Sequence, residues 1–295
     1  MILQNRTGFI VSKSCESVII YVIEISIYGI WLHINIMAIS KQEINFLSTL
    51  ASTRKNIFTF EDAQVFWITS SRTANALSRL ARKGWIKRLD RGTYLIVPLE
   101  AGPEQTWSES GLVIAPYLVN PAAVAYWSAL HYWNMTEQIP QTTFVQTTVR
   151  KQSMTLFGQE FRFITVRPER FFGTYERTAD DRRIIVTDQE KTLLDAAARP
   201  DLSGGIVQLS QAMKAASSNL DWEKLDTYLE KWGGGTVVKR LGYLLEGSAL
   251  NVPGTEQRLT RWRNMLSEGI SLLEPGSQAR GPVVTRWRLR VNITL

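Results

Sequence analysis

The stretch that decides the fold is SSRTANALSRLARKGWIKRLDRGTYLIV, residues 70–97. Its first part has apolar residues at helical spacing, which predicts a helix capped at its start by Ser70 or Ser71. One side of this helix is expected to pack against the protein, through Thr73, Leu77 and Leu80. The opposite side is polar and basic and is left to bind a partner. Its members are Arg72, Asn75, Ala76, Arg79 and Lys83.

The second part of the stretch predicts a tight hairpin. Gly84 supplies the left-handed residue that ends the helix. Residues 85–89 and 93–97 then pair across a turn at 90–92. A basic helix followed directly by such a hairpin is typical of the DNA-contacting part of a winged helix-turn-helix.

Two helices are predicted upstream of this basic helix and its hairpin. Ser40 and Glu43 have the spacing of a capping box at the start of the first helix. Thr59 is placed to cap the second helix, which runs from about 60 to 66. The predicted order is therefore helix, helix, basic helix and hairpin.

The charge of this segment favours DNA as its partner. Residues 38–100 contain 10 Lys and Arg against 5 Asp and Glu, an excess of 10 − 5 = +5, which suits phosphate contacts. The start of such a helix faces base edges in the major groove. The candidates for base readout are Ser71, Arg72, Asn75 and Arg79. The candidates for phosphate contact are Arg82, Lys83, Lys87, Arg88 and Arg91. The alternative is a protein-docking module whose arginines form a solvated face.

Length and composition set limits on the rest of the chain. The 295 residues, 44% of them hydrophobic, are enough for two domains with a sizeable core and exclude general disorder. The net charge is +7. A single cysteine, Cys15, and two distant histidines, His33 and His131, exclude a disulfide framework and a Cys/His zinc cluster within one chain. We expect no metal, no cofactor and a cytoplasmic location.

The hydrophobic N-terminal extension, residues 1–36, is the unusual part. The run at 18–37, VIIYVIEISIYGIWLHINIM, is long enough to raise a membrane span. Glu24 argues against a simple span, because a charge at mid-bilayer is costly. The density of Val, Ile and Tyr favours a strand over a helix. Our hypothesis is that translation begins at Met37 and that the extension is a misassigned start, with a membrane anchor as the alternative.

The chain as a whole is expected to be α+β. A winged helix-turn-helix at 37–98 is followed by a linker at 99–109, whose Gly and Pro residues lie among polar ones, and by a mixed α/β domain at 110–295. Its predicted helices are 121–133, a helix after a Thr187–Glu190 capping box, 222–232 capped by Asp221, and 236–246. Its predicted strands are 144–148, 160–166 and 183–186, with further alternation at 283–293.

Six stretches in order carry a specific resemblance. They are RLDRGTYLI (88–96), SALHYWNMTEQIP (128–140), FRFITVRPERFFG (161–173), VTDQEKTLLDAAARPDLSGGI (186–206), VVKRLGYLLE (237–246) and WRLRVN (287–292). From Met37 to its end, the chain resembles the AbiEi family, the antitoxin halves of type IV toxin–antitoxin and abortive-infection (phage-defence) systems. The N-terminal 36 residues have no counterpart in that pattern.

The resemblance implies a function for each domain. The winged helix would bind double-stranded DNA at the promoter of its own operon and repress it. Inverted repeats in that DNA would require two copies of the protein, and either cooperative binding of monomers or a stable dimer would meet this requirement. The C-terminal domain would neutralise a nucleotidyltransferase-like toxin encoded beside it. Five residues at positions that recur in the family form a candidate surface of the antitoxin domain. The alternative is that they hold the domain together. They are Asp188, Glu190, Lys191, Lys239 and Arg240.

An enzymatic interpretation is the alternative function. Asp180, Asp181, Asp188, Glu190, Lys191 and Asp195 form a polar cluster in which a metal site or a phosphotransferase could be imagined. Such an enzyme would inactivate the toxin by covalent modification, for instance as a protein kinase. Carboxylates at a helix start more often serve as caps and dipole partners, so we expect no catalytic residue. His131 and the aromatic residues around it are expected to be structural.

Overall fold

In a computed structural model of the chain, the residues described are 39–97, 110–178, 182–248, 250 and 252–295, together with the backbone of 18–19, 22–27, 30–35 and 179. The chain divides into two compact units, residues 1–108 and 109–295. Three predictions fall on residues outside this description: the start at Met37, the linker at 99–109, and Asp180 with Asp181 in the polar cluster.

The N-terminal run forms strands. They are β1 (Val18–Ile19), β2 (Val22–Ile27) and β3 (Ile30–Asn35), followed by β4 (Ile39–Ser40). β2 pairs with β3 and β1 pairs with β4, both antiparallel. This confirms the preference for strand over helix that β-branched residues predict. Among the described residues, no helix is both long and apolar enough to cross a membrane.

The winged helix-turn-helix follows in the predicted order. Its elements are α1 (Lys41–Ser52), β5 (Ile57–Thr59), α2 (Phe60–Trp67), α3 (Ser70–Arg82), β6 (Ile86–Asp90) and β7 (Thr93–Ile96). β7 lies between β5 and β6 in an antiparallel sheet. The three helices pack around Phe46, which is fully buried and contacts the rings of Phe58 and Trp67 edge-on.

The caps of these helices decide where each one begins. Ser40 and Glu43 form both bonds of a capping box, and Thr59 caps α2 as predicted. The cap of α3 differs from the prediction, because Thr69, in an extended conformation, accepts the hydrogen bond from the backbone N–H of Arg72 through its hydroxyl. Ser70 and Ser71 therefore lie inside α3. Gly84 has φ +77°, which confirms its left-handed role after the helix.

The second unit combines one mixed sheet with a group of helices. Its first part contains α4 (Gly111–Leu118), β8 (Ala123–Val124), α5 (Tyr126–Tyr132), β9 (Thr142–Thr147), β10 (Met154–Leu156), β11 (Gln159–Thr165), β12 (Thr174–Ala179) and β13 (Arg182–Thr187). Its second part contains α6 (Gln189–Ala198), α7 (Gly205–Ala216), α8 (Trp222–Trp232), α9 (Thr236–Gly247), α10 (Thr255–Asn264), β14 (Ser271–Leu272), β15 (Val283–Val284) and β16 (Leu289–Arg290).

The strands of the first part form one sheet in the order β10-β11-β9-β8-β13-β12. The pairs β11–β9 and β13–β8 are parallel, and the other neighbours are antiparallel. The helices α6 to α9 enclose an apolar core that includes Leu193, Leu209, Leu229 and Leu241. The three short strands at the end form a second sheet in the order β14-β16-β15.

Two predictions for this unit are corrected. The helix predicted at 121–133 begins only at Tyr126, because Ala123 and Val124 form the strand that joins β9 to β13. The Thr187–Glu190 capping box is absent. Asp188 caps α6 instead, and Glu190 accepts a hydrogen bond from the backbone N–H of Asp221 at 2.9 Å.

The alternation predicted at 283–293 is shorter than expected. A single turn of 3-10 helix at Thr285–Trp287 separates β15 from β16. Trp287 and Leu289 are nevertheless fully buried, as the apolar pattern indicates.

Candidate nucleic-acid interface

The face of α3 opposite the core carries the predicted base-reading residues. Ser71, Arg72, Asn75 and Arg79 are exposed. Thr73, Leu77 and Leu80 are buried on the opposite side, as their spacing predicts, and Ala76 is buried with them. The prediction that Ala76 lies on the binding face is therefore wrong, because the packed stripe of α3 is wide enough to include it.

A buried carboxylate in α1 reaches the same helix. Glu43 is 1% exposed, and its two oxygens accept hydrogen bonds from Nε of Arg79 and from Nζ of Lys83, each at 3.1 Å. The backbone N–H of Ser40 also donates to this carboxylate, at 2.9 Å. Burial raises the pKa of Glu43, but these hydrogen bonds outweigh it and hold the pKa below its usual value.

The two residues that contact Glu43 were both predicted to contact DNA, and they differ in how far their side chains are exposed. The side chain of Lys83 is only 14% exposed, so its ammonium is committed inside the domain, which argues against its predicted phosphate contact. The side chain of Arg79 is 45% exposed and meets Glu43 through Nε. The Arg79 side chain therefore remains partly accessible to a ligand. The sequence pattern shows Glu43 only as a cap, because its partners in α3 are distant in the chain.

The wing carries the remaining basic candidates. Arg88 and Arg91 are exposed on the hairpin, Lys87 is half-buried, and Arg82 is exposed at the end of α3. Nε of Arg88 donates to the carbonyl of Asp90 at 3.2 Å. The backbone N–H of Arg91 donates to the Asp90 carboxylate at 2.7 Å. The turn of the wing is thus held by its own side chains and presents two guanidinium groups to solvent.

The candidate surface of the C-terminal domain is mostly internal. Glu190, Lys191, Lys239 and Arg240 are buried, and Asp188 is half-buried. Arg240 donates to the carbonyls of three residues, namely Ala197 at 2.7 Å, Leu272 at 3.1 Å and Leu273 at 2.9 Å. Burial lowers the pKa of Arg240 to about 10. The surface interpretation of the four buried residues is therefore wrong, and they hold the domain together.

The described members of the predicted polar cluster form contacts between α6 and its neighbours. Lys191 pairs with Asp195 and also donates to Oε1 of Gln146 at 3.3 Å. Lys224 of α8 lies 3.1 Å from the Asp188 carboxylate and 2.9 Å from that of Glu190. Asp188 also accepts a hydrogen bond from the hydroxyl of Tyr228 at 2.8 Å. These contacts tie α6 to β9 and α8, which is a structural use of the charges.

The aromatic helix α5 also contributes to packing. Tyr126 is buried, and its hydroxyl accepts a hydrogen bond from Nε2 of Gln146 at 3.2 Å. Nε1 of Trp133 donates to the carbonyl of Thr187 at 2.7 Å. His131, in the last turn of α5, is half-buried. These positions fit the structural role expected for the aromatic residues.

Two comparisons with known proteins concern the fold and the winged helix. A solved structure, the crystal structure of RV2827C protein from Mycobacterium tuberculosis, aligns with a TM-score of 0.56 at 15% sequence identity, over 83% of this chain and 90% of that chain. This likeness concerns the fold alone. Residues 45–97, which include α2, α3 and the wing, match the family model described as "Transcriptional regulator, AbiEi antitoxin". Over residues 45–97 this chain is therefore similar to the AbiEi antitoxin family of transcriptional regulators.

Proposed function

We propose that this protein is the antitoxin and transcriptional autorepressor of a type IV toxin–antitoxin operon. It binds double-stranded DNA at its own promoter and neutralises a nucleotidyltransferase-like toxin. The observation that carries the DNA half is the exposed face of α3 with Arg72 and Asn75, in a segment that also carries a basic wing and matches the AbiEi family model.

The geometry supports a division of labour on DNA. Arg72 and Asn75 lie near the start of α3, the part of a recognition helix that faces base edges. In the major groove an arginine pairs with guanine through O6 and N7, and an asparagine pairs with adenine through N6 and N7. Arg82, Lys87, Arg88 and Arg91 then hold phosphates and set the register.

A promoter site with inverted repeats requires two copies of the protein. We propose that they bind cooperatively or as a dimer on the DNA, because half-site spacing mirrors the symmetry of the bound protein. Repression takes place where the operon lies, which is the cytoplasm.

Neutralisation of the toxin is assigned to the C-terminal domain. The family model that matches residues 45–97 is described as an antitoxin, which supports an antitoxin role for the chain. The choice of the C-terminal domain rests on the resemblance of its sequence to the family. Because Glu190, Lys191, Lys239 and Arg240 are internal, the toxin would be met by other, exposed residues of the domain. We propose that no catalysis by this chain is required.

The first experiment tests the DNA half with the full chain. Fluorescence anisotropy measures binding to the DNA just upstream of its own reading frame, with a scrambled duplex as competitor, at two salt concentrations. Preferential binding that weakens steeply with salt supports autorepression. Equal, weak binding to both duplexes would contradict it and shift attention to the C-terminal domain.

The second experiment tests neutralisation. The toxin encoded beside this gene is incubated with the full chain, with and without a nucleoside triphosphate, and its activity and intact mass are measured. An inhibited toxin of unchanged mass supports neutralisation without modification. A mass increase that appears only with the nucleotide supports the alternative, an enzyme that modifies the toxin.

A further inference from the structure

The turn between α2 and α3 holds an isoleucine in an unusual backbone conformation. Ile68 has φ +63° and ψ −49°. The backbone N–H of Thr69 donates to the carbonyl of Trp67 at 2.6 Å, across this one residue. These features define a γ-turn of the rare and strained kind. Positive φ is a genuine outlier for a β-branched residue, whereas glycine adopts it freely.

The side chain of Ile68 is not stabilised by burial in the core. It is 80% exposed, and Val65, three residues earlier in the last turn of α2, is 81% exposed. An isolated exposed apolar residue is ordinary. An exposed β-branched residue at a strained position, where glycine would fit without strain, indicates a role for the side chain outside the fold.

The position of Ile68 indicates the kind of partner. It directly precedes Thr69, the cap of α3, so its side chain lies at the end of α3 that carries Ser71 and Arg72. Arg72 is exposed near this end, and Arg79 and Arg82 are exposed farther along α3. This charge favours a phosphate polymer over an apolar protein surface.

Thymine is the base that presents an apolar group in the major groove. Its C5-methyl is read by contact with apolar side chains, while the other base edges there are read by hydrogen bonds. We propose that Ile68 is a specificity-determining residue that contacts the C5-methyl of a thymine beside the bases read from α3. The proposal rests on the proposed function, because it requires that α3 enters the major groove.

The test removes the methyl from the DNA and the side chain from the protein in turn. Each thymine of the bound upstream duplex is replaced singly by uracil, which deletes only the C5-methyl. The wild-type chain is expected to lose affinity about tenfold at one position in each half-site. Ile68→Gly is expected to bind the unmodified duplex about tenfold more weakly and to be insensitive to uracil at that position. Arg91→Ala serves as the control, since it should bind more weakly yet keep the sensitivity to uracil.

Stability separates this role from a structural one. Glycine relieves the strain of the turn but adds freedom to the unfolded chain, so the Tm of Ile68→Gly should be unchanged or higher. A clear drop in Tm would assign Ile68 to the fold and overturn the proposal.

Failure of the inference is distinguishable from failure of the proposed function. If the wild-type chain prefers its upstream DNA but uracil affects Ile68→Gly and wild type alike, the thymine contact is wrong while autorepression stands. If Ile68→Gly instead loses self-association, the occupant of this surface is a second copy of the chain, and the proposal is equally overturned. A wild-type chain without preference for that DNA overturns both.

Discussion

Glu43 in α1 holds Arg79 in α3, with Oε1 accepting a hydrogen bond from Nε at 3.1 Å across 36 residues of sequence. The carboxylate is buried and also caps its own helix at Ser40. One side chain therefore sets the start of α1 and the direction of an arginine on the candidate DNA-binding face. The fold and the interface are coupled at this point.

The first prediction concerns the pH dependence that Glu43 creates. The pKa of Glu43 in the folded protein lies below the ordinary value of 4.5. As the pH falls towards that value and below it, the unfolded chain therefore binds more protons than the folded chain. The stabilising contribution is fully present above about pH 5 and is lost as the pH falls through the folded pKa. The unfolding free energy of wild type relative to Glu43→Gln should therefore decrease from about pH 5 to about pH 3, as measured by urea denaturation. A difference that does not vary with pH would contradict the assignment.

The second prediction separates base readout from phosphate contact. Arg72→Ala should cost about 1–3 kcal/mol on the preferred DNA and relax the preference at one base position. Arg91→Ala should weaken all sequences alike and lower the salt slope by about 1. Lys83→Ala is the matched control. The ammonium of Lys83 pairs with Glu43, so its removal should leave the salt slope unchanged. Anisotropy titrations over a salt series measure all three. An unchanged preference in Arg72→Ala would refute its role in base readout.

The third prediction tests the close approach of α9 to Trp287. A Cβ on Gly242 would lie 2.2 Å from the Trp287 ring, so Gly242→Ala must push the helix and the ring apart. We expect a loss of about 1–3 kcal/mol in unfolding free energy, as for other overpacked cores. Gly247→Ala, in the same helix, meets nothing within 4 Å and should be neutral or slightly stabilising. Equal stabilities of the two variants in thermal unfolding would contradict this packing.

The fourth prediction concerns the buried pair of Lys191 and Asp195. Burial raises the pKa of Asp195, and attraction and hydrogen bonding from Lys191 act against that rise. Lys191→Met leaves the carboxyl without its cation and should cost about 3–5 kcal/mol. Lys191→Met combined with Asp195→Leu should regain much of that loss, because two apolar side chains of similar volume can replace a buried pair. Denaturant unfolding measures both. A double variant less stable than Lys191→Met would show that the charges have a further role.

Local patterns predicted most of the winged helix and several elements of the second unit. The caps at Ser40, Thr59 and Asp221 and the left-handed Gly84 act within a few residues of one another, so they can be read in order along the chain. The strands β9, β11 and β13 were predicted to within two residues at each end. The basic face of α3 was predicted for the same reason, because helical spacing alone places Arg72 and Asn75 together.

Distant contacts decided what the patterns could not. The two-residue strand β8 exists because β9 and β13 supply its hydrogen bonds, and the local preference of its alanine-rich segment for a helix is overridden. In the sequence, the charges of Lys191 and Arg240 suggest that these side chains are exposed. In the fold they are buried against partners from other elements.

The sequence by itself determined the order of the elements in the winged helix and the outward position of Arg72, Asn75 and Arg79 on its third helix. Only the tertiary structure decided that Lys83 points to Glu43 and that Ile68 is held exposed in a strained turn. The physical reason is range. Caps and helical spacing act over a few residues, whereas the burial of a charge and the conformation of a turn depend on segments brought together by folding.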